Sequence, residues 1–360
     1  MYPDWNRELY TAYLSARKHK RNTFNQLSFE ANLEENLLLL GKELESRRYE
    51  ISPAVCFINE KPVKREIVAA DFRDRVVHHL LFNWINPLFE KHFIYDSYSC
   101  RVGKGTLFGI NRAKAFVLSE SDFFRKECFV LRLDISGFFM GIHRGILCQS
   151  ILDLLSRSKW KNVPDRELAE FLIQKIVFND PLKNARFKSP REAWKDLPPN
   201  KSLRYSKPGC GLPIGNLTSQ LFGNVYLNPL DHYVKRTLKF RHYGRYVDDM
   251  VLVSTDKRKL IDSIPQIRGY LKEKLRLELH PKKIYLQPVQ KGFAFLGAFI
   301  LPHRVYPGRR LIRNFRECQR NPLPNPKEQG NRLASYLGCF SHFDSYGIVQ
   351  KEIGMPVFQS

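Results

Sequence analysis

Two adjacent carboxylates, Asp248 and Asp249, close the run Tyr246-Val247-Asp248-Asp249, and a strand-forming stretch, Met250 to Ser254, follows them. A third carboxylate, Asp134, sits in a second strand-forming run, Leu131-Arg132-Leu133-Asp134-Ile135. Three carboxylates on two paired strands could hold two divalent metal ions roughly 3.5–4 Å apart, the arrangement that phosphoryl-transfer chemistry needs. One ion would activate an attacking hydroxyl and the other would steady the leaving group. Asp134 and Asp248 are the first-choice ligands. In a strand, successive side chains point to opposite faces, so Asp249 joins Asp248 only if the hairpin turn redirects it. An isolated Asp-Asp pair reads first as a solvated turn. The apolar flanks Val247 and Met250-Val251-Leu252 argue instead for a buried strand beneath it.

The substrate class follows from charge. The 360 residues include 59 Lys and Arg against 36 Asp and Glu, a formal net charge of +23. The excess is spread along the chain, which suggests a long phosphate-binding surface with salt-sensitive affinity and points to nucleic acid. The seven cysteines, at 56, 100, 128, 148, 210, 318 and 339, form no C-x-x-C pair. They read as reduced thiols of a cytoplasmic protein rather than a zinc ribbon. Residues 1–22 are polar and basic, unlike a signal peptide, and the longest aliphatic run, Leu37 to Leu40, is too short to span a bilayer.

The elements that must position these residues are legible in outline. Phe29, Leu33, Leu37, Leu40 and Leu44 recur at helical spacing and predict one amphipathic helix. Residues 51–70 read as extended, 71–89 as a helix, 129–135 as a buried strand and 146–155 as the start of the next helix. The polar, Pro-rich stretch 159–207 predicts one helix over 166–177 and then a long loop. A helix over 217–238 precedes a hairpin over 243–254 whose turn falls at the Asp pair. Leu260, Ile267, Leu271 and Leu275 predict a helix with Pro265 near its first turn. Short strands follow over 277–298, then a basic, partly helical end. This order fits an antiparallel sheet backed by helices, an α+β architecture.

The motifs together resemble those of reverse transcriptases, over roughly residues 50–300 and in the family's order. Tyr246-Val247-Asp248-Asp249 resembles the Tyr-x-Asp-Asp box, and Asp134 the first catalytic Asp. The resemblance implies a right-hand polymerase fold: an N-terminal helical extension (1–50), fingers with part of the palm (51–128), a palm with an inserted loop at 159–207 (129–300), and a small basic thumb (301–360). It implies two Mg²⁺ ions, with Mn²⁺ a possible substitute, held by Asp134, Asp248, Asp249 and the Ile135 carbonyl. Phe139 falls at the steric gate that would collide with a 2′-hydroxyl. Lys64, Arg65 and Arg101 match the basic residues that meet the incoming dNTP. Gly103-Lys104-Gly105 would approach phosphate or template. In Leu279-His280-Pro281-Lys282-Lys283, Lys283 best matches the lysine that protonates pyrophosphate, with Lys282 a substitute. Phe295-Leu296-Gly297 resembles the primer grip, and Tyr246, Gly215 and Asn216 would contact template or primer.

One segment discriminates within the family. Gly211-Leu212-Pro213-Ile214-Gly215-Asn216-Leu217-Thr218-Ser219-Gln220 has Ile214 where most members have Gln, and Gln220 where most have Pro. Both departures, and the preceding Leu197-Pro198-Pro199-Asn200-Lys201-Ser202-Leu203, resemble reverse transcriptases of diversity-generating retroelements. That resemblance implies error-prone cDNA synthesis, concentrated at template adenines, from a template-repeat RNA. It also implies a small basic oligomeric accessory protein as partner and a bacterial, archaeal or phage source. Rival readings are a retron, intron-type or phage-defence reverse transcriptase, a two-metal nuclease, and a catalytically dead basic RNA-binding protein.

Overall fold

The computed structural model describes residues 5–18, 22–60 and 63–353. Its strands, in chain order, are β1 (Val55–Asn59), β2 (Arg65–Ala69), β3 (Phe129–Leu133), β4 (Arg186–Phe187), β5 (Tyr243–Tyr246), β6 (Asp249–Ser254), β7 (Tyr285–Pro288), β8 (Phe293–Phe295), β9 (Ala298–Ile300) and β10 (Val305–Pro307). The chain divides into two compact units, one of Met1–Ile94, Ile135–His232 and Ile267–Leu279, the other of Tyr95–Asp134, Tyr233–Gln266 and His280–Ser360. No helix among the described residues is long and apolar enough to cross a membrane.

In the first unit, β1 and β2 form an antiparallel hairpin and β4 joins the free edge of β1 in parallel. The helix Phe72–Phe89 starts where the Asp71 side chain accepts from the Arg73 amide, and it buries Val76, Leu80, Leu81 and Trp84. The helix expected to run from Phe29 to Leu44 is instead two, Phe24–Ala31 and Leu33–Glu45. Asn32 leaves helical geometry between them (φ −129°, ψ 52°), and Asn36 Nδ2 donates to the Phe29 carbonyl at 2.9 Å, satisfying an acceptor near the break. The helix expected over 166–177 is Arg166–Phe178, and the long loop expected after it carries β4 and three 3₁₀ turns.

His78 lies wholly inside this unit, its Nδ1 2.7 Å from Thr218 Oγ1. Burial pushes its pKa down to about 3, and that of His79 down to about 4, from the ordinary 6.5. The unfolded chain binds protons at these rings more readily, so their full contribution holds above pH 6.5 and drains away as pH falls toward the folded values. Thermal midpoints should therefore decline from pH 6.5 to 4, and less steeply in His78→Asn. Parallel declines in the two proteins would discharge His78 from the effect.

In the second unit, β5-β6-β3-β7 form an antiparallel sheet and β10-β9-β8 a smaller one. The helix Thr106–Glu120 backs the larger sheet, packing Ile110, Ala113, Phe116 and Val117 with Val130, Val251 and Val253. Burial at this density supplies most of the stabilisation, about 25 cal/mol per Å² of apolar surface removed from water. The helix Lys257–Leu275 starts earlier than expected, because Asp256 caps it by accepting from the Lys259 amide at 2.9 Å. Pro265 is thus interior rather than in the first turn. The helix expected over 217–238 ends at His232 and continues as a π turn, Tyr233–Thr237. Toward the C-terminus, Arg309–Arg320 buries Phe315 and Cys318, and Phe315 meets Phe340 of Pro326–Phe340 edge-on at 5.1 Å. Residues 354–360 of the expected thumb, and part of the basic N-terminal 22, lie outside the described residues. The architecture is α+β, with antiparallel sheets backed by helices.

Candidate active site

Period-two alternation builds this site. Leu131, Leu133, Met250 and Leu252 share one fully buried face of the larger sheet, and Val130, Arg132, Val251 and Val253 share the other. One step further along each strand, Asp134 and Asp249 end that second face. Asp249 therefore needs no redirection to meet Asp134. The expectation had measured it against Asp248, which lies in the two-residue turn between β5 and β6. Turn and strand end thus gather the three carboxylates.

Their charges interact. Burial, then the Asp134 and Asp249 charges, push Asp248 up to about 7. Burial also raises Asp249, against the pull of the Arg132 guanidinium. Lys283 Nζ lies 2.9 Å from Asp134 Oδ2, and Arg132 Nη2 lies 3.8 Å from Asp249 Oδ1. Of the two lysines, it is Lys283 whose Nζ donates to a carboxylate of this group. A cleft of about 510 Å³ opens here, lined among others by Arg132, Asp134, Asp249, Lys283, Tyr285 and Phe293.

The turn is strained. Val247 has φ 53°, a left-handed conformation that a β-branched residue rarely adopts and that costs on the order of 1–3 kcal/mol. The fully buried Arg245 holds it, donating from Nη1 to the Val247 carbonyl at 2.8 Å, and reaching Ser97 Oγ at 3.5 Å. Such strain persists because the surroundings over-determine the turn.

The three carboxylates repel one another and are hard oxygen donors, the donor type that a divalent cation takes and the repulsion that such an ion would relieve. Among the described residues, no group of three or more Asp, Glu, His or Cys side chains stands in an arrangement that would hold a metal ion. Asp134 is paired with Lys283 instead.

The sequence profile of the reverse transcriptase (RNA-dependent DNA polymerase) family matches residues 60–300, more than half of the chain. The chain belongs to that family. A relative, Protein YkfC of Escherichia coli (strain K12), is 23% identical over 339 residues, covering 84% of this chain and 81% of its own length. Among solved structures, the apo telomerase of Candida tropicalis truncated from its C-terminal domain matches 76% of this chain at 11% identity, with a TM-score of 0.50. The apo telomerase of the same yeast matches 84% at 12% identity, with a TM-score of 0.49. This reverse transcriptase spans 60% of the length of each telomerase chain. The likeness to the truncated telomerase supports the polymerase fold.

The remaining sequence-derived residues divide between the units. In the second unit of this reverse transcriptase, Arg101 Nη1 donates to the Ser97 carbonyl at 2.9 Å, and Lys104 stacks over Tyr95 at 4.5 Å. Tyr246 is half-buried against the apolar cluster. Phe295 is buried, and Leu296 (φ 49°) and Gly297 (φ 84°) form the β8–β9 turn with the positive φ pair that tight hairpins favour.

In the first unit, Phe138 is buried and Phe139 half-buried, their rings 5.1 Å apart, so the packing role falls to Phe138. Phe139 and Ile214 pack on one apolar cluster, with Met140, Val68 and Leu203. The Leu212 amide donates to the Phe139 carbonyl at 2.8 Å and the Val68 amide to the Ile214 carbonyl at 2.9 Å. Gly215 (φ 132°) lets the backbone lie against β2, where an added Cβ would meet Ile67 Cγ2 at 3.1 Å. Asn216 Oδ1 accepts from the Ala70 amide at 3.0 Å, which is a structural use of that side chain. Gln220 and Arg65 are exposed, and Lys64 Nζ donates to the Lys195 carbonyl at 2.5 Å. Ile135 is buried and bridges to Leu279.

Sequence reasoning missed Arg132 and Arg245. The alternation signal for Arg132 was present, two residues before Asp134. Nothing local marks Arg245, whose role depends on Val247 and Ser97.

Proposed function

We propose that this reverse transcriptase makes error-prone, adenine-mutagenised cDNA from a template-repeat RNA within a diversity-generating retroelement. The observation that carries this reading is Ile214, an apolar side chain packed in one cluster with Phe139. A Gln at this place could hydrogen-bond near the sugar and base of an incoming nucleotide, whereas a branched aliphatic cannot. Geometric checking of the new pair should loosen accordingly.

When bound, divalent cations, Mg²⁺ by this reading, would activate the primer hydroxyl and neutralise the departing pyrophosphate. Asp134, Asp248 and Asp249 would hold them, with the Ile135 carbonyl. Lys283, whose Nζ lies 2.9 Å from Asp134 Oδ2, is assigned to protonating the leaving oxygen. Lys64, Arg65 and Arg101 are assigned to the triphosphate, and Phe139 to exclusion of the 2′-hydroxyl. Lys104, Gly215, Asn216, Tyr246 and the Phe295–Gly297 turn are assigned to template and primer, and Gln220 to the nucleotide site. The same reading retains the fingers, palm and thumb boundaries, a cytoplasmic setting, and a small basic accessory protein as partner.

Primer extension with Mg²⁺ on an adenine-rich RNA template tests this proposal. The wild type should misincorporate chiefly opposite adenine, and Ile214→Gln should lower that error by roughly ten-fold. An unchanged error spectrum would remove Ile214 from the mechanism and favour a retron, intron-type or phage-defence role.

A further inference from the structure

Glu66 is 2% exposed on β2, yet it lies outside every motif that the family reading uses. Three donors converge on its carboxylate. Trp194 Nε1 and Ser202 Oγ each reach Oε2 at 2.8 Å, and the Leu203 amide reaches Oε1 at 2.8 Å. A carboxylate is buried only when such donors replace its water, so the set is high-stakes: removing one leaves charge under-solvated. All three donors come from residues 194–203, within the segment that extends the chain between the helix Arg166–Phe178 and Gly211.

What that segment covers gives Glu66 its interest. Leu203 enters the cluster that packs Phe139 and Ile214. Asn200 crosses the N-terminus of the short helix Phe138–Gly141, where a Cβ added at Gly137 would meet the Asn200 backbone oxygen at 3.2 Å. The strand that carries Glu66 also bonds the other wall. Val68, two residues on, donates to the Ile214 carbonyl, and Ala70 donates to Asn216. β2 therefore bonds residues 194–203 and Ile214 directly, the Ala70 amide just past it bonds Asn216, and Leu212, two residues before Ile214, bonds the Phe139 carbonyl of the short helix.

We propose that Glu66 is a positioning residue for nucleotide selection, locking residues 194–203 so that Phe139 and Ile214 keep a fixed spacing. The claim rests on the polymerase reading for its substrate and on this unit alone for its geometry.

Trp194→Phe and Ser202→Ala each delete one donor, the first keeping an aromatic ring and the second nearly the same volume, and Glu66→Gln keeps the shape while removing the charge. Each should lower the preference for dATP over ATP, measured as a ratio of kcat/KM, by roughly five-fold, through KM for dATP more than kcat. Hydrogen exchange at the Val68 and Leu212 amides should quicken in the same variants. Folded, active variants with wild-type discrimination would overturn the proposal. A wild type that extends no primer would overturn the polymerase reading instead, and exchange would still decide the positioning claim: wild-type protection of both amides in all three variants would refute it.

Discussion

Asp248→Asn should reduce primer extension roughly a thousand-fold or more, because an amide oxygen carries no charge for a divalent cation to meet. The fold should survive the change. Asp248 is half-buried in a turn already held by Arg245, and its carboxylate is disfavoured by burial and by Asp134 and Asp249. Removing one of three crowded charges should leave the thermal midpoint in metal-free buffer at or above the wild-type value. The decisive measurement pairs the two: extension lost, melting not lowered. If wild type and variant gave the same background extension with dNTPs and Mg²⁺, the chain would instead be a polymerase fold retained for binding RNA. Appearance of cleaved rather than extended product would favour a nuclease.

Phe139→Ala should open the enzyme to ribonucleotides, raising ATP use relative to dATP by roughly a hundred-fold. Its ring is half-exposed, while Phe138 takes the packing position. Gly223 makes room beneath both, since a Cβ there would meet Phe138 Cε1 at 3.3 Å and Phe139 Cε1 at 3.5 Å. Truncating this half-buried ring should therefore cost less stability than Phe138→Ala, which should cost several kcal/mol as a core cavity. Competition between labelled ATP and dATP in single-nucleotide extension measures the ratio. A ratio unchanged in an active Phe139→Ala protein would mean that sugar selection resides elsewhere.

Much of this was legible beforehand because the signals are local. Asp71 announces a helix start, and the run Phe129–Leu133 announces a strand. Two residues between β5 and β6 announce a hairpin. Boundaries moved where capping competed with periodicity. Asn32 broke a helix that the leucine spacing had joined, and Asp256 began one before Pro265. Beyond its expected helix, the segment 159–207 read as loop because its polar, Pro-rich composition hides what holds it. Its order comes from a buried glutamate over a hundred residues away, and no window of sequence contains both partners.

Residue types and their succession were enough to establish the family motifs, the strand character of the runs that carry Asp134 and Asp249, and the apolar character of position 214. Those properties are set by neighbours along the chain, through side-chain period and backbone propensity. Tertiary structure alone decided which side chains meet: Lys283 rather than Lys282 on Asp134, Arg132 against Asp249, Arg245 beneath Val247, and Glu66 beneath residues 194–203. Arg245 and Glu66 are charged groups taken out of water, stable only where the fold supplies their partners, and those of Glu66 lie far along the chain.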